Sequence, residues 1–520
     1  MNESGPPDAL MPPRDLDQEL LNGLSFYVVG DERDCMITDV VYDSRLTTPG
    51  SLFVALRGGY ADGHRFIAEA AKWGAVAALV EEPVAAPEGI RAQIVVEETR
   101  AALAVVAANW YQHPANDLTV VGVTGTNGKT TTTTMITDVL DAAGLRSAFL
   151  GTVEMKLGAD RWPNPNHQTT PESLHVQRFL RQAVEAGCTH AVLEATSHGL
   201  AMHRLDALPV DVAVFTNISH DHLEYHKTFD AYLAAKRGLF ARLNVASERN
   251  KARWAVVNAH DPHADTFLAA APGATPLCYG IETDTPITAT TVMELPEHVV
   301  FTLQTPSGSA AVHLHTLGTY NVLNALAAAA VGHAQGIEPE TIAAGLAAFS
   351  DVAGHLERIE MGQPFAVIVD FAHTPAACEA LFGLLRRTTQ GRLAVIFGSA
   401  GERDVAKRPM QGAIAARYAD VAFFTNEDPR FEDPEAILRA IAAGAEAERP
   451  DWRAGMQYRC IADRATAIGV AFDWAAPGDT VALVGKGHEN SIIIGAEALP
   501  WDEAAVARAA LRERGYPGGT

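Results

Sequence analysis

The stretch Val121-Gly122-Val123-Thr124-Gly125-Thr126-Asn127-Gly128-Lys129-Thr130-Thr131 decides the fold, because it is a glycine-containing turn between an apolar strand and a predicted helix. Gly125 and Gly128 let the backbone approach an anion, and the helix directs its free N–H groups toward that anion. Lys129 adds a positive charge, and Thr130 is placed to offer a hydroxyl to Mg²⁺. The turn is therefore predicted to bind the phosphates of a nucleotide.

The spacing of this turn departs from the common phosphate-loop pattern G-x-x-x-x-G-K-[ST]. Val123 stands where the first glycine is expected, and Gly122 lies one position earlier. A threonine-rich helix start with incidental glycines is the alternative interpretation. The strand, turn, lysine and helix nevertheless follow in the order that a phosphate loop requires, so the offset indicates a sub-class of such loops.

Length and charge limit the kinds of protein that this chain can be. Its 520 residues predict about three domains. A formal net charge of −23 argues against sequence-independent nucleic-acid binding and against anionic membranes, so local Lys and Arg side chains must meet any anionic substrate. Five scattered cysteines without metal-ligand spacing indicate reduced thiols in a cytosolic protein, and no stretch has the length of a membrane span.

Apolar runs that alternate with helical ones predict an α/β fold throughout the chain. After a disordered segment at 1–20, we expect a small N-terminal α/β domain at 21–116. A central P-loop ATPase-like domain is predicted at 117–350. The four strands predicted at the end of the chain each stop in a Gly-rich or charged turn, which indicates a C-terminal Rossmann-like domain at 351–520.

Polar residues follow the predicted strands of the central domain. Glu194 comes after the strand 190–193, and His222 comes shortly after the strand 210–216. Because ligands bind at the carboxyl ends of parallel strands, both side chains are candidates for metal or phosphate contact. The alternative interpretation of Glu194 is a helix-capping acid, and that of His222 is a surface residue. Lys236, in the helix that follows, has the pattern of a solvated surface lysine.

Several separated motifs give the chain a resemblance to a known family. They include Asp43-Ser44-Arg45, the phosphate loop, Glu427-Asp428-Pro429-Arg430 and Gly487-His488-Glu489. In this order they resemble the Mur ligases of bacterial cell-wall synthesis, and most closely the UDP-N-acetylmuramoyl-tripeptide synthetase type. The resemblance covers nearly the whole chain, and the offset in the phosphate loop is the form found in this family.

The resemblance implies an ATP-dependent ligase that adds a diamino acid to UDP-N-acetylmuramoyl-L-alanyl-D-glutamate through an acyl phosphate. The diamino acid would be meso-diaminopimelate, L-lysine or L-ornithine, and the product would serve peptidoglycan synthesis, cell shape and division. The implied partners are small molecules, with no nucleic acid and no membrane insertion, and the implied state is a cytoplasmic monomer. A ligase of the folylpolyglutamate synthase kind and a non-catalytic nucleotide-gated binding protein are the alternatives.

The resemblance also implies a role for each matching position. Residues implied to contact ATP are Gly125, Thr126, Asn127, Gly128, Lys129, Thr130, Thr131, Asn321, Asn324, Asp370 and His373. Those implied to hold the UDP-muramoyl substrate are Ser44, Thr169, Thr170, Thr196, Ser197 and Arg204. Mg²⁺ ions would be held by Thr130, Glu194, His222 and Lys236, the last as a carbamate formed with CO₂. Lys129, Glu194, His222 and Lys236 would be the catalytic residues.

The amino-acid substrate is implied to contact Arg403, Asp428, Arg430, Gly485 and Glu489. The arginines suit carboxylates, whereas Glu489 and the Gly485 carbonyl suit an ammonium. Asp428 stands where diaminopimelate-adding enzymes have an asparagine, and an acid there suits an ammonium, which leaves lysine and ornithine open. His355 replaces the arginine of a turn that meets the nucleotide, although Arg358 lies three residues further on.

Overall fold

The structure, a computed structural model, describes residues 11–16, 19–31, 35–58, 61–85, 87–164, 168–244, 251–295, 298–349 and 352–518. Its main sheets have five, eleven and six strands and follow one another along the chain. The predicted fold class, three α/β domains, is confirmed. Each sheet lies within one of the predicted ranges 21–116, 117–350 and 351–520, whose exact boundaries stay predictions.

The N-terminal domain has a five-stranded sheet in the order β2-β7-β6-β5-β4, parallel except for β2 at one edge. The strands of this domain are β1 (Arg14–Asp15), β2 (Tyr27–Gly30), β3 (Met36–Ile37), β4 (Asp39–Val41), β5 (Ser51–Val54), β6 (Ala77–Val80) and β7 (Ala92–Val95). Its helices are α1 (Ile67–Lys72) and α2 (Thr99–Trp110).

Part of the segment predicted to be disordered is ordered. β1 pairs with β3, and Leu16 and Leu20 are buried in the core of the N-terminal domain. The prediction is therefore wrong for residues 11–16 and 19–20, because two leucines there complete an apolar cluster. Residues 1–10 and 17–18 lie outside the described residues.

The central sheet has the order β11-β10-β9-β12-β8-β13-β14-β15-β16-β17-β18. It is parallel from β9 to β16 and antiparallel at both edges. The strands are β8 (Thr119–Thr124), β9 (Ser147–Leu150), β10 (Glu154–Leu157), β11 (Asp160–Pro163), β12 (His190–Glu194), β13 (Val212–Phe215), β14 (Trp254–Asn258), β15 (Thr275–Ile281), β16 (Ile287–Glu294), β17 (Val299–Thr305) and β18 (Gly308–Leu314). The helices are α3 (Lys129–Ala142), α4 (Ser173–Glu185), α5 (Ser197–Ala201), α6 (Leu223–His226), α7 (Phe229–Ala241), α8 (Ala264–Leu268), α9 (Thr319–Ala334) and α10 (Pro339–Ala348).

The central sheet buries both of its faces, because successive side chains of a strand point to opposite sides. In β8, Val121 and Val123 join a core with α3, α9 and α10, whereas Val120 joins a core with α4, α7 and α8. Both faces of β8 are covered, so its carboxyl end, where the phosphate loop begins, is the open edge of this part of the sheet.

The C-terminal sheet has the order β19-β20-β24-β21-β22-β23 and is parallel except for β19. The strands of this domain are β19 (Glu357–Arg358), β20 (Ala366–Asp370), β21 (Leu393–Phe397), β22 (Val421–Phe424), β23 (Tyr458–Cys460), β24 (Thr480–Val484), β25 (Ser491–Ile494) and β26 (Glu497–Pro500). The helices are α11 (Pro375–Thr388), α12 (Lys407–Tyr418), α13 (Pro434–Glu448), α14 (Arg464–Trp474) and α15 (Glu503–Glu513). Helices α11 to α13 pack on one face of the sheet, and α14 and α15 pack on the other.

Charged contacts join the domains near the strand ends. Arg100 of the N-terminal domain pairs with Glu172 of the central domain at 2.9 Å. His220 of the central domain lies 2.6 Å from Asp404 of the C-terminal domain. Among the helices that the structure describes, none is long and apolar enough to cross a membrane.

Candidate active site

The phosphate loop joins β8 to α3 and wraps around the Lys129 ammonium. Lys129 Nζ donates to the Gly125 carbonyl at 3.1 Å and to the Thr126 carbonyl at 3.0 Å. Burial lowers the pKa of Lys129, whereas the nearby Glu194 carboxylate raises it. The loop backbone thus holds the ammonium at the start of α3, where phosphate oxygens can take the place of the two carbonyls.

Two glycines of the loop have no room for a side chain. A Cβ on Gly125 would lie 1.9 Å from Thr216 Oγ1, and one on Gly128 would lie 2.3 Å from Asn324 Oδ1. Gly128 also has a φ of +82°, which favours glycine. Only glycine therefore lets the loop pack this closely against Thr216 and Asn324.

The segment 216–219, which follows β13, braces the loop. The Thr126 N–H donates to the Asn217 carbonyl at 2.8 Å, and the Asn127 N–H donates to Asn217 Oδ1 at 3.0 Å. Asn217 Nδ2 donates in return to the Asn127 carbonyl at 3.0 Å. Thr126 Oγ1 also lies 2.9 Å from the Tyr232 hydroxyl of α7. These bonds fix the loop before a ligand arrives.

Thr130 and Glu194 form one wall of the phosphate loop. Thr130 Oγ1 donates to Glu194 Oε2 at 3.0 Å, and Thr152 donates to both carboxylate oxygens, at 2.8 and 2.9 Å. Burial raises the pKa of Glu194, while the Lys129 ammonium and these hydrogen bonds lower it. The structure thus places Glu194 beside the phosphate loop, and its contact with a metal or phosphate stays a prediction.

The chemistry of this wall fits a magnesium ion. A hydroxyl and a carboxylate are hard oxygen donors, and Mg²⁺ at nucleotide sites uses one or two carboxylates together with phosphate oxygens and water. Among the described residues, no group of three or more His, Cys, Asp or Glu side chains is arranged to hold a metal. Thr130 and Glu194 therefore fit an ion that shares its ligands with the phosphates of a nucleotide.

Lys236, on α7, is buried beneath the phosphate loop with 2% of its surface exposed. Its Nζ donates to the Gly125 carbonyl at 2.6 Å and lies 4.7 Å from the centre of the Tyr232 ring. Burial lowers the pKa of Lys236 well below its usual value, and the Lys129 charge lowers it further. The surface-lysine interpretation is thus wrong, because helix packing buries the side chain. A neutral amine is the nucleophile that CO₂ requires, but the carbamate itself stays a prediction.

His222 begins α6 with a φ of +54°. Its Nδ1 lies 3.8 Å from Glu224 Oε1, and its Nε2 lies 3.3 Å from Asp221 Oδ2. Its ring packs edge-on against His198, with centroids 4.8 Å apart. His222 therefore lies just beyond the segment that braces the phosphate loop, with carboxylates beside both ring nitrogens.

Asn321 and Asn324 lie at the start of α9 and pack against the loop at Gly128. Asn324 Oδ1 accepts from Thr132 Oγ1 at 3.3 Å, and Asn324 Nδ2 donates to Asn321 Oδ1 at 3.0 Å. Asn321 Nδ2 donates to the Leu317 carbonyl at 2.8 Å. The two amides form a chain under the loop, and their predicted contact with adenine stays a prediction. Thr131 belongs to the first turn of α3.

Asp370 and His373 lie at the carboxyl end of β20, in the C-terminal domain. Asp370 accepts the Leu356 N–H at 2.8 Å and the Ala372 N–H at 2.7 Å, and burial raises the pKa of its carboxyl to about 6. Burial lowers the pKa of His373, whose Nδ1 lies 3.0 Å from the Phe371 carbonyl. Asp370 thereby fixes the turn that carries His355.

His355 is a neutral group where the resemblance implies a cation. Its ring stacks on His488 with centroids 5.4 Å apart, and its Nε2 is buried without a hydrogen-bond partner. Burial lowers the pKa of His355 to about 3. Arg358, three residues further on, lines a cavity of about 260 Å³ together with Thr316 and Asp479.

Hydroxyl side chains predicted to hold the UDP-muramoyl substrate surround the carboxyl end of β12, namely Thr169, Thr170, Thr196 and Ser197. Thr170 Oγ1 donates to the Glu194 carbonyl at 2.7 Å and accepts from the Thr196 N–H at 3.1 Å. Thr169 Oγ1 accepts from Thr152 at 3.0 Å. Ser197 Oγ is buried without a hydrogen-bond partner. The structure thus brings these hydroxyls next to the magnesium-binding wall.

Arg204 and Ser44 belong to the same predicted substrate path. Arg204 lies 3.0 Å from Glu172, the residue that also pairs with Arg100 across the domain boundary. Ser44, in the N-terminal domain, donates to Glu69 at 3.0 Å. The path therefore runs from the N-terminal domain, past an interdomain charge cluster, to the end of β12.

A buried lysine changes the interpretation of Asp428. Lys486 Nζ donates to Asp428 Oδ1 at 2.9 Å and to Glu489 Oε2 at 2.5 Å. Although burial acts to lower the pKa of Lys486, these two carboxylates raise it overall. Lys486 lies between Gly485, whose φ is +102°, and Gly487. The ammonium that Asp428 contacts is therefore supplied by the chain itself, so its acid does not by itself favour lysine or ornithine.

Two charged side chains of the motif Glu427-Asp428-Pro429-Arg430 have buried atoms that lack a hydrogen-bond partner among the described residues. Arg430 Nε and Glu427 Oε2 are buried and have no hydrogen-bond partner. Arg403, from the turn after β21, instead contacts Glu224 of the central domain at 3.3 Å. A cation and an anion with unfilled partners on one loop suit the carboxylate and ammonium of an amino acid.

The sequence reasoning missed the ion pair that holds this loop in place. Arg464 donates to Glu503 at 2.6 Å, with side chains 1% and 0% exposed. Arg464 also donates to the carbonyl of Asn426, two residues beyond β22, and to that of Val484, the last residue of β24. No local sequence pattern predicts this contact, because Arg464 and Glu503 are 39 residues apart.

A phosphate loop with a hydroxyl–carboxylate wall, in a chain of three α/β domains, defines a nucleotide-dependent three-domain enzyme. Residues 36–111 match the catalytic domain of the Mur ligase family, residues 123–332 match the Mur ligase middle domain, and residues 354–487 match the Mur ligase glutamate ligase domain. The chain belongs to the Mur ligase family.

Individual relatives extend the match over almost the whole chain. A UDP-N-acetylmuramyl-tripeptide synthetase from Roseiflexus sp. (strain RS-1) is 47% identical over 93% of this chain and 96% of its own length. A UDP-N-acetylmuramoyl-L-alanyl-D-glutamate--2,6-diaminopimelate ligase from Geobacillus kaustophilus (strain HTA426) is 41% identical over 91% of this chain and 94% of its own. A solved structure of a ligase with that second name has a TM-score of 0.65 and 28% identity, and covers 96% of this chain and 99% of its own.

Proposed function

We propose that this chain joins a diamino acid to UDP-N-acetylmuramoyl-L-alanyl-D-glutamate at the expense of ATP, as a ligase of peptidoglycan synthesis. The observation that carries the proposal is the cradle of Lys129, Thr130 and Glu194 above the buried Lys236. The names of the relatives support the substrate. A binding protein without catalysis has no need of a desolvated lysine under a phosphate loop, and the match of residues 36–111 favours a UDP-muramoyl substrate over a folate.

The reaction needs activation, because a free carboxylate is a poor electrophile. The γ-carboxylate of the D-glutamyl residue attacks the γ-phosphorus of ATP, which gives an acyl phosphate and ADP. The amine of the diamino acid then attacks the acyl carbon, the tetrahedral intermediate expels phosphate, and an amide and a proton are left. Catalysis consists mainly of positioning the reactants and neutralising charge.

Different residues around the phosphate loop position the reactants and neutralise their charge. Lys129 and the backbone of residues 125–131 hold the β- and γ-phosphates, and Thr130 and Glu194 hold a first Mg²⁺, which would neutralise phosphate charge. His222 and Lys236, the latter as a carbamate, are proposed to hold a second. Asn321 and Asn324 lie on the adenine side. From the C-terminal domain, Asp370 and His373 face the nucleotide.

The other two substrates approach from opposite sides. We assign the UDP-muramoyl dipeptide to Ser44, Thr169, Thr170, Thr196, Ser197 and Arg204. The diamino acid is assigned to the C-terminal domain, where Arg403 and Arg430 meet carboxylates, and Glu489 and the Gly485 carbonyl meet an ammonium. Asp428 contributes by holding Lys486. The unpaired Glu427 oxygen is a second ammonium acceptor on this side.

All three proposed substrates are small molecules, and ATP is available in the cytoplasm, so we place the reaction there. We expect a monomer, as the resemblance to the Mur ligases implies. Neither nucleic acid nor membrane insertion has a part in this reaction.

The proposal is tested by measuring phosphate release from ATP by the purified protein with Mg²⁺. Release should require UDP-N-acetylmuramoyl-L-alanyl-D-glutamate together with diaminopimelate, lysine or ornithine, and a competition among these three identifies the amino acid. Lys129→Met should abolish turnover, whereas Lys72→Met, on an exposed helix end, should not. Multiple turnovers with a folate in place of the UDP-dipeptide, or none with any of the three amino acids, would overturn the assignment.

A further inference from the structure

Glu224 lies between the proposed metal histidine and a proposed amino-acid-binding arginine. Its Oε1 is 3.3 Å from Arg403 Nη1 and 3.8 Å from His222 Nδ1. Arg403 belongs to the C-terminal domain, whereas Glu224 and His222 belong to the central domain. One carboxylate oxygen therefore faces two groups that serve different substrates.

The distances show which partner Glu224 holds in this structure. The contact with Arg403 is hydrogen-bonded, whereas 3.8 Å to His222 exceeds the limit of a hydrogen bond. This ion pair is the one that the described residues give Arg403. The Arg403 guanidinium, proposed above to bind a substrate carboxylate, is thus already occupied by a carboxylate of the chain.

We propose that Glu224 is an internal counter-ion of Arg403, which the carboxylate of the incoming amino acid displaces and which then moves onto His222 Nδ1. This inference rests on the proposed function, because it takes Arg403 as a ligand of the amino acid. The exchange needs a shift of roughly 1 Å, from 3.8 Å to an ordinary hydrogen-bond length. Glu224 is then a positioning residue, because it acts through His222.

The exchange couples binding of the amino acid at Arg403 to orientation of the His222 ring, so that the first precedes the second. While Arg403 has no bound substrate, Glu224 Oε1 is hydrogen-bonded to Arg403 and lies 3.8 Å from His222 Nδ1, beyond hydrogen-bond length. When the amino acid binds, the released carboxylate orients the imidazole by accepting its Nδ1–H, and Nε2 is left beside Asp221. His222 is thereby set in its working orientation only when the nucleophilic substrate is in place.

A neighbouring contact supplies a matched control. His220 and Asp404 form a second bridge between the same two segments at 2.6 Å, and neither contacts Arg403 through its side chain. Asp404→Asn therefore weakens the domain contact without freeing Arg403. Glu224→Gln removes the competing charge and keeps the side-chain shape.

The experiment measures the affinity of the full-length protein for the amino acid by calorimetry, in the presence of ADP and the UDP-dipeptide. The probe is whichever of meso-diaminopimelate, L-lysine or L-ornithine supports turnover. In Glu224→Gln the Kd should fall about two- to fivefold, as expected for the loss of a partly exposed competing ion pair. Its kcat should also fall, because His222 loses its orienting carboxylate, while the KM for ATP should stay unchanged.

Two further variants separate the possible outcomes. Arg403→Gln should raise the Kd, and adding Glu224→Gln to it should change the Kd no further. An unchanged or higher Kd in Glu224→Gln alone overturns the inference, as does an equal fall in Asp404→Asn. If the wild-type protein turns over with none of the three amino acids, the proposed function has failed instead.

Discussion

Lys236→Ala is the most direct test of the site. The substitution removes three buried methylene groups and an amine that donates to the Gly125 carbonyl at 2.6 Å. At about 0.8 kcal/mol for each methylene, the lost burial costs roughly 2–3 kcal/mol of unfolding free energy. The Gly125 carbonyl is not left unpaired, because Lys129 also donates to it at 3.1 Å. The variant should therefore fold.

Its activity should fall much further than its stability. If Lys236 carries a carbamate, the variant loses a fixed negative charge next to the phosphates, and removal of one such preorganised group lowers kcat by about 10²–10³-fold. The space left by the side chain should admit a small carboxylic acid, so acetate or formate should restore part of the phosphate release. Lys236→Met fills that space and should be equally inactive but not rescued.

The lowered pKa of Lys236 also predicts how carbamate formation and stability depend on pH. CO₂ reacts with a neutral amine, and burial lowers the pKa of Lys236, so the reactive form persists at lower pH than for an exposed lysine. The folded chain also binds fewer protons here than the unfolded chain, between the lowered pKa and the ordinary value. The contribution of Lys236 to stability should therefore rise with pH across that window. Wild-type activity in Lys236→Ala, or equal rescue of Lys236→Met, would refute the carbamate.

Three further substitutions test other parts of the site. Gly128→Ala should raise the KM for ATP at least about tenfold, because the added Cβ meets an amide oxygen at 2.3 Å. Gly144→Ala is its control, since that glycine also has a positive φ but faces open space, so ATP kinetics should not change. Asp428→Asn should leave the ranking of diaminopimelate, lysine and ornithine unchanged in the competition assay, because the acid is already paired with Lys486; a reversed ranking would contradict this. Glu503→Gln should lower the free energy of unfolding by roughly 3–5 kcal/mol in urea denaturation, because it leaves a buried guanidinium without its counter-charge; a loss under 1 kcal/mol would show that the pair is not needed.

The elements that were predicted from the sequence are those with a clear local pattern. Eight parallel strands were predicted within two residues of their observed ends, because buried strands are continuous apolar runs bounded by turn residues. They are β8, β9, β12 and β13 of the central sheet and β20, β21, β22 and β24 of the C-terminal sheet. The phosphate loop was found for the same reason, since its glycines and lysine lie within one turn. The parallel strands β14, β15 and β23 were not predicted. The strands β16 to β18 were not predicted either, because their exposed residues interrupt the apolar pattern.

The contacts that decide the chemistry escaped prediction for a different reason. Whether Lys236 is a surface lysine or a buried amine depends on how α7 packs under β8, which no local pattern encodes. The hydrogen-bond partner of Asp428 is likewise a distant residue, Lys486, 58 residues away. Long-range pairing of this kind is visible only once the strand ends have been brought to one edge of a sheet.

These pairings also resolve how a chain of net charge −23 can accept several anionic substrates. The cations at the site are held by the chain's own oxygens, since Lys129 donates to loop carbonyls, Lys486 to two carboxylates, and Arg403 to Glu224. Substrate anions can exchange with such partners without exposing a bare charge. Arg430 is different, because its buried Nε has no hydrogen-bond partner. A substrate carboxylate at Arg430 fills an empty position rather than displacing an internal one, so the discrimination between diaminopimelate and lysine should be sought first at this residue.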